Sequence, residues 1–380
     1  MNLTQTARAF KLGIKVFAGI VVTYYIFTLV LIPTAKKLYR MIIRPIYPPN
    51  VAFGQLDQLE FVQKEIQGQV GRYVLNTKNG ALPDDFPVKV LVYKINRPSL
   101  SYLAADKAIR DAATLGYIEK DLISDLKGNI FKWRSAQTNG VLEINKDNGI
   151  IKLDTVLNKS LERNLTKNLS EKSAGDKAMS IFGSLERFGS NYDRGIRVVT
   201  LGKFSGERVN QAITKIDGQV GKVELYRFVE VNRKTKYKIT GPDPYKGLLH
   251  VVVGTGTEKS PFGYLSMEAY YKEVNFKSEA TYPIIEVEAA WEAVKSGRGV
   301  LAGIKPTSQS PFAEYTPLPI ETILINSVSL AYYESTRYQP YLQPIFVFEG
   351  KFGSRSQTST TNSGDVTIYF PAVSGEYVKK

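Results

Sequence analysis

His250 is the single histidine in 380 residues, and there is no cysteine. Without thiolates the chain has no disulfide, no sulfur-ligated metal and no cysteine nucleophile. In Leu248-Leu249-His250-Val251-Val252-Val253, alternation puts Leu248, His250 and Val252 on one face of a strand. A serine triad would also need a G-x-S-x-G elbow, which is absent, so a structural hydrogen bond is the expected role of the ring. Ser124-Asp125-Leu126-Lys127 has the S-x-x-K spacing of penicillin-binding enzymes, but no K-T-G triplet accompanies it and chance accounts for it. Gly254-Thr255-Gly256 follows a strand candidate as a phosphate loop would. It lacks the remaining glycines and the lysine spacing of such loops, and a turn is the reading. Asp147, Gly149 and Asp154 do not reproduce a calcium loop. Two carboxylate pairs, Asp84 with Asp85 and Glu286 with Glu288, would suit acid–base work on a glycan only if folding set them at the right separation. Neither a cofactor nor a metal is expected, and no catalytic residue is assigned.

The elements that would hold these groups begin with an uncharged stretch, Val16 to Ala35, which at 1.5 Å per residue would reach about 30 Å as a helix. This predicts a single-pass membrane anchor, with the lipid bilayer as a partner through residues 16–35. The formal net charge is +14, and seven of the basic residues flank that stretch between Arg8 and Arg44 with no acidic residue among them. About half of the basic excess therefore belongs to the anchor, which weakens a nucleic-acid reading, and none is expected. Three basic residues precede the stretch and four follow it, so charge alone does not orient it.

Five segments follow from composition shifts and turn signals. Residues 1–44 are the basic flank and anchor. Residues 45–87 form a proline-stiffened connector and entry segment, opened by Arg44-Pro45-Ile46-Tyr47-Pro48-Pro49. Residues 88–157 read as strand, helix and antiparallel strands, with Asn148-Gly149 turning a hairpin. Residues 158–260 hold a polar linker, a helix candidate at Lys177–Phe188 and further strands. Residues 261–380 repeat helix then strands, with Val287, Ala290, Trp291 and Val294 on one helix face. Gly353–Gly364 is a polar loop candidate. The fold class expected is α+β: a transmembrane helix followed by tandem modules, each a helix packed on an antiparallel sheet.

Ala290-Trp291-Glu292-Ala293-Val294-Lys295-Ser296-Gly297, Val328–Tyr333 and Tyr341–Phe348 resemble the C-terminal region of YycH/YycI-type proteins. The helix–strand–hairpin ending in Leu142-Glu143-Ile144-Asn145 and Gly149 is similar to a PepSY module. The resemblance implies a membrane-anchored extracytoplasmic regulator in the cell envelope, acting through protein contacts without catalysis. A membrane or envelope protein, a sensor kinase among them, would be its partner. Trp291, Tyr332, Tyr333, Tyr341 and Phe346 are the candidate contact surface. The alternative is an envelope hydrolase that attacks wall glycan or peptide with carboxylates.

Overall fold

Two large sheets divide the strands between them. The computed structural model describes Gly19, Val21, Tyr24 and residues 48–379, except 98–101, 125–126, 190–191, 193, 207, 232–234, 257–259, 261 and 356–360. Pro49–Lys380 is one compact unit, separate from Met1–Pro48.

The nine-stranded sheet takes strands from both ends of that unit. From the N-terminal side come β1 (Arg72–Leu75) and β2 (Lys89–Ile95). The middle supplies β9 (Phe228–Glu230), β10 (Lys236–Thr240) and β13 (Val274–Pro283). The C-terminal side supplies β14 (Val300–Pro306), β15 (Thr322–Tyr333), β16 (Tyr341–Arg355) and β17 (Thr361–Pro371). The long β15–β16–β17 meander is its spine. On one side of β15, β1 pairs with its first half and β10 with its last two residues.

A bulge between Ile325 and Ser327 keeps β15 in phase with the core. Strand side chains alternate faces, so Ile323 and Ile325 would oppose Val328 and Leu330 without the extra residue. With it, all four enter one apolar cluster with Phe346 and Phe348, capped by Trp291 and Val294 of the helix Val287–Lys295. The opposite face carries Ala331, Tyr333, Ile345 and Tyr369 under Leu59 and Phe61 of the entry segment. Both faces are covered, which is why these strands read as near-continuous apolar runs.

The eight-stranded sheet holds β3 (Ile130–Arg134), β4 (Val141–Asn145), β5 (Ile151–Asp154) and β6 (Ile196–Ser205). It is completed by β7 (Arg208–Gln211), β8 (Val220–Tyr226), β11 (Leu249–Gly254) and β12 (Tyr264–Ala269). Its apolar face packs under α1 (Ala104–Thr114) and α3 (Glu171–Ser184) in one large cluster. The short α2 (Lys159–Glu162) precedes α3, and the helix Val287–Lys295 is α4. Ser170 caps α3, its hydroxyl accepting from Ser173 N at 3.1 Å. The opposite face carries a cross-strand row: Lys132, Glu143, Lys152, Glu268, His250 and Glu224, each directly opposite the next. Alternating signs along most of this row favour this register, because like charges directly opposite would destabilise it.

Four expectations are corrected. The architecture is mostly β, with 41% of the described residues in strands against 15% in helices, and not tandem α+β modules each with its own sheet. β2, placed by sequence in the first module, belongs to the nine-stranded sheet, while α1 and β3–β5 build the other one. The single-pass membrane reading has no spanning helix to rest on: among the described residues no helix is long and apolar enough to cross a membrane. Apart from Gly19, Val21 and Tyr24, residues 16–35 lie outside the described residues. In the polar stretch Gly353–Gly364 the described residues are strand, since β16 runs to Arg355 and β17 starts at Thr361, and 356–360 lie outside the described residues.

Candidate functional site

A cavity of about 1170 Å³ opens where the two sheets meet. One wall belongs to the nine-stranded sheet: Lys94 at the end of β2, Arg97 just after it, and the Thr336–Tyr341 loop leading into β16. The other wall is α1, with Leu103, Lys107 and Arg110, together with the β4–β5 turn at Lys146–Gly149. Tyr270–Glu273, between β12 and β13, forms the floor. The lining carries eight basic side chains against three acidic ones.

The basic groups fall into two kinds. Arg187 is built into the wall: it donates to Gly149 O at 3.1 Å, to Leu185 O at 3.0 Å and to Asp111 Oδ2 at 3.4 Å. Burial pushes the Asp111 carboxyl up, and the nearby Arg187 and Lys107 oppose that shift. The Lys272 ammonium donates to the Ser335 and Arg337 carbonyls, and burial lowers its pKa. Lys107 is paired with Glu186 at 2.7 Å, and Arg337 with Glu60 at 3.3 Å. Lys94, Arg110 and Lys146 form no ion pair among the described residues. Arg97 is aimed rather than neutralised: its Nε donates to Tyr338 Oη at 2.8 Å and its guanidinium lies 5.4 Å from that ring. Uncompensated positive charge therefore faces the cavity from both walls.

Beneath the floor the sheets are locked together. Arg227, following β8, is 2.6 Å from Glu334, following β15, and both are buried. The Arg227 guanidinium lies between the rings of Tyr192 and Tyr271, at 5.5 and 5.6 Å. It also donates to Lys272 O at 2.8 Å. Burial, the largest single effect, lowers the arginine's pKa, but the adjacent Glu334 carboxylate together with Tyr192 and Tyr271 outweighs it and raises the value.

The sequence-singled residues fall elsewhere. Trp291, Tyr332, Tyr333 and Phe346 are buried, which takes them out of reach of a partner. Tyr341 alone lines the cavity, stacked on Phe53 at 4.8 Å. His250 is buried, its Nδ1–H donating to Gly247 O at 2.8 Å. Burial, reinforced by Lys246, holds its pKa down to about 3. Ser124 Oγ accepts from Lys132 N at 2.9 Å. The carbonyls of Gly254 and Gly256 receive Lys177 Nζ at 2.9 and 2.5 Å, so this loop meets a cation and not a phosphate. Asp84, Asp85, Glu286 and Glu288 are exposed and line no part of the cavity. Among the described residues no group of His, Cys, Asp and Glu could hold a metal ion.

Neither a family model nor a curated protein matches the chain. Among solved structures it is similar to an uncharacterized protein from Eubacterium rectale ATCC 33656, at 12% identity and a TM-score of 0.41. That likeness covers 76% of this chain and 85% of the other.

Reasoning from sequence passed over Lys94, Arg97, Arg110 and Lys146. They come from β2, the segment after it, α1 and a hairpin turn, so no local spacing links them. The one local signal was density: Lys94, Arg97, Lys107 and Arg110 fall within 17 residues.

Proposed function

We propose that the protein is a binding protein whose inter-sheet cleft holds an acidic segment of a protein partner. The observation that carries this reading is positive charge held in no ion pair among the described residues on two walls: Lys94 and Arg97 on one, Arg110 and Lys146 on the other. A single small anion would neutralise one wall only. An extended chain with several carboxylates meets both. The cavity, about 1170 Å³, exceeds the ~300–1,000 Å³ usual for small-ligand pockets, which also favours a peptide. Desolvated charge contacts of this kind give specificity and fast encounter, as regulation by protein contact requires. The resemblance to YycH/YycI-type regulators points the same way.

The test is fluorescence anisotropy with a labelled glutamate-rich peptide and its glutamine counterpart. The acidic peptide should bind with an affinity that falls as salt rises, and the neutral one should not bind. Equal binding of both peptides would refute the reading. Equal competition by single-stranded DNA of matched charge would refute it too, by reducing the cleft to a general polyanion surface.

A further inference from the structure

A smaller cavity shares no lining residue with the cleft and has a more aromatic character. It encloses about 300 Å³ among Leu91, Tyr93, Phe228, Phe276, Glu279 and Arg194, with Glu230 and Val231 at its rim. Its walls arise from an irregularity in strand pairing. On β13, Asn275 pairs with Lys94 and Glu279 with Tyr93, so three residues of β13 are looped out against none of β2. That bulge sets the Phe276 ring edge-on to Tyr93, with centroids 5.2 Å apart and planes at 65°. It also places Glu279 directly across from Tyr93.

Bulges commonly re-aim side chains towards a functional site, and this one gathers aromatic faces and a carboxylate. The charges are unequal. Glu230 is already paired with Lys236 at 2.8 Å and approaches Arg194 at 3.7 Å. Glu279 is exposed and forms no hydrogen bond or ion pair among the described residues. The site therefore combines the half-buried rings of Phe228 and Phe276 and the buried Tyr93 with a carboxylate, Glu279, that is in no ion pair among the described residues. An aromatic face attracts a cation, and an apolar cationic body loses little hydration when it enters.

We propose that this pocket binds a small organic cation of the quaternary or alkylated ammonium class, its apolar substituents against Phe276 and Phe228 and its charge towards Glu279. An anion is disfavoured by Glu279. A metal ion is disfavoured because only two carboxylates, Glu230 and Glu279, line the site, and Glu230 is already paired.

Choline and its neutral isostere 3,3-dimethylbutan-1-ol should be titrated into the full chain, followed by calorimetry and by the ring-proton shifts of Phe276 and Tyr93. Choline should bind at least about tenfold more tightly than the isostere. Glu279→Gln, an exposed and structurally mild change, should weaken choline at least about threefold and leave the isostere unchanged. Phe276→Leu should weaken both, with near-UV circular dichroism checking that the fold is kept. Isostere binding as tight as choline, indifference to Glu279→Gln, or no choline binding at millimolar concentration would each overturn the proposal. None of these results bears on the basic cleft, which shares no lining residue with this pocket.

Discussion

Arg227 and Glu334 form a buried ion pair at 2.6 Å that joins the end of β8 to the end of β15, and so one sheet to the other. Among the described residues Glu334 Oε1 and Arg227 Nε have no hydrogen-bond partner, so the pair is not a fully satisfied network there. It bridges the two sheets that wall the cleft. Removing one partner strands the other charge in the interior, which typically costs roughly 3–5 kcal/mol. Glu334→Gln or Arg227→Met should each lower the urea midpoint by that order. The double change Arg227→Met with Glu334→Leu should recover much of the loss, because a buried pair gains little net energy over apolar packing.

Trp291 is 7% exposed and stacks on Phe348 at 6.0 Å under α4. Trp291→Ala should cost about 3 kcal/mol or more in denaturant unfolding, as expected for a large core truncation. A change in partner binding with stability intact would return this residue to a contact surface.

Gly149 closes the β4–β5 hairpin at φ +69°, and a Cβ there would lie 2.7 Å from Arg187 Nη2. Gly149→Ala should destabilise by at least about 1 kcal/mol, since alanine is strained at positive φ and displaces the arginine that ties the turn to α1. The same substitution should weaken acidic-peptide binding, because Lys146 sits on that turn. Thermal unfolding and anisotropy together check it.

His250 stays neutral in the folded chain, its pKa lowered from 6.5 to about 3 by burial. In the unfolded chain the ring protonates below about pH 6.5, so the unfolded state then binds the extra proton. Stability is therefore fully present above that value and is lost as pH falls towards 3, by on the order of 4 kcal/mol for this group. His250→Asn should flatten the stability profile between these limits. An unchanged slope would show that the ring protonates within the fold.

Local patterns were legible where one chain segment decides the outcome. Asn148-Gly149 turns its hairpin, α4 buries the face formed by Val287, Ala290, Trp291 and Val294, and His250 is held by a backbone carbonyl. Helix α3 starts at Glu171 rather than Lys177 because Ser170 caps it, a signal hidden in a polar stretch that reads as linker. What spacing could not convey was long-range pairing. β2 sits between β13 and β16, some 180 and 250 residues away, so an early strand and the last hairpin share a sheet. Aromatic residues in β15 and β16 read as a surface because both faces of that sheet are covered by distant segments. The cleft was invisible for the same reason: its two walls belong to different sheets.

The most direct measurement is photo-crosslinking of the glutamate-rich peptide, with the attached sites mapped by mass spectrometry. Crosslinks should fall on both walls, near Lys94 and Arg97 and near Arg110 and Lys146, and should disappear with Arg97→Glu and Arg110→Glu combined. Crosslinks confined to other surfaces, or undiminished in the double variant, would contradict the cleft as the binding site.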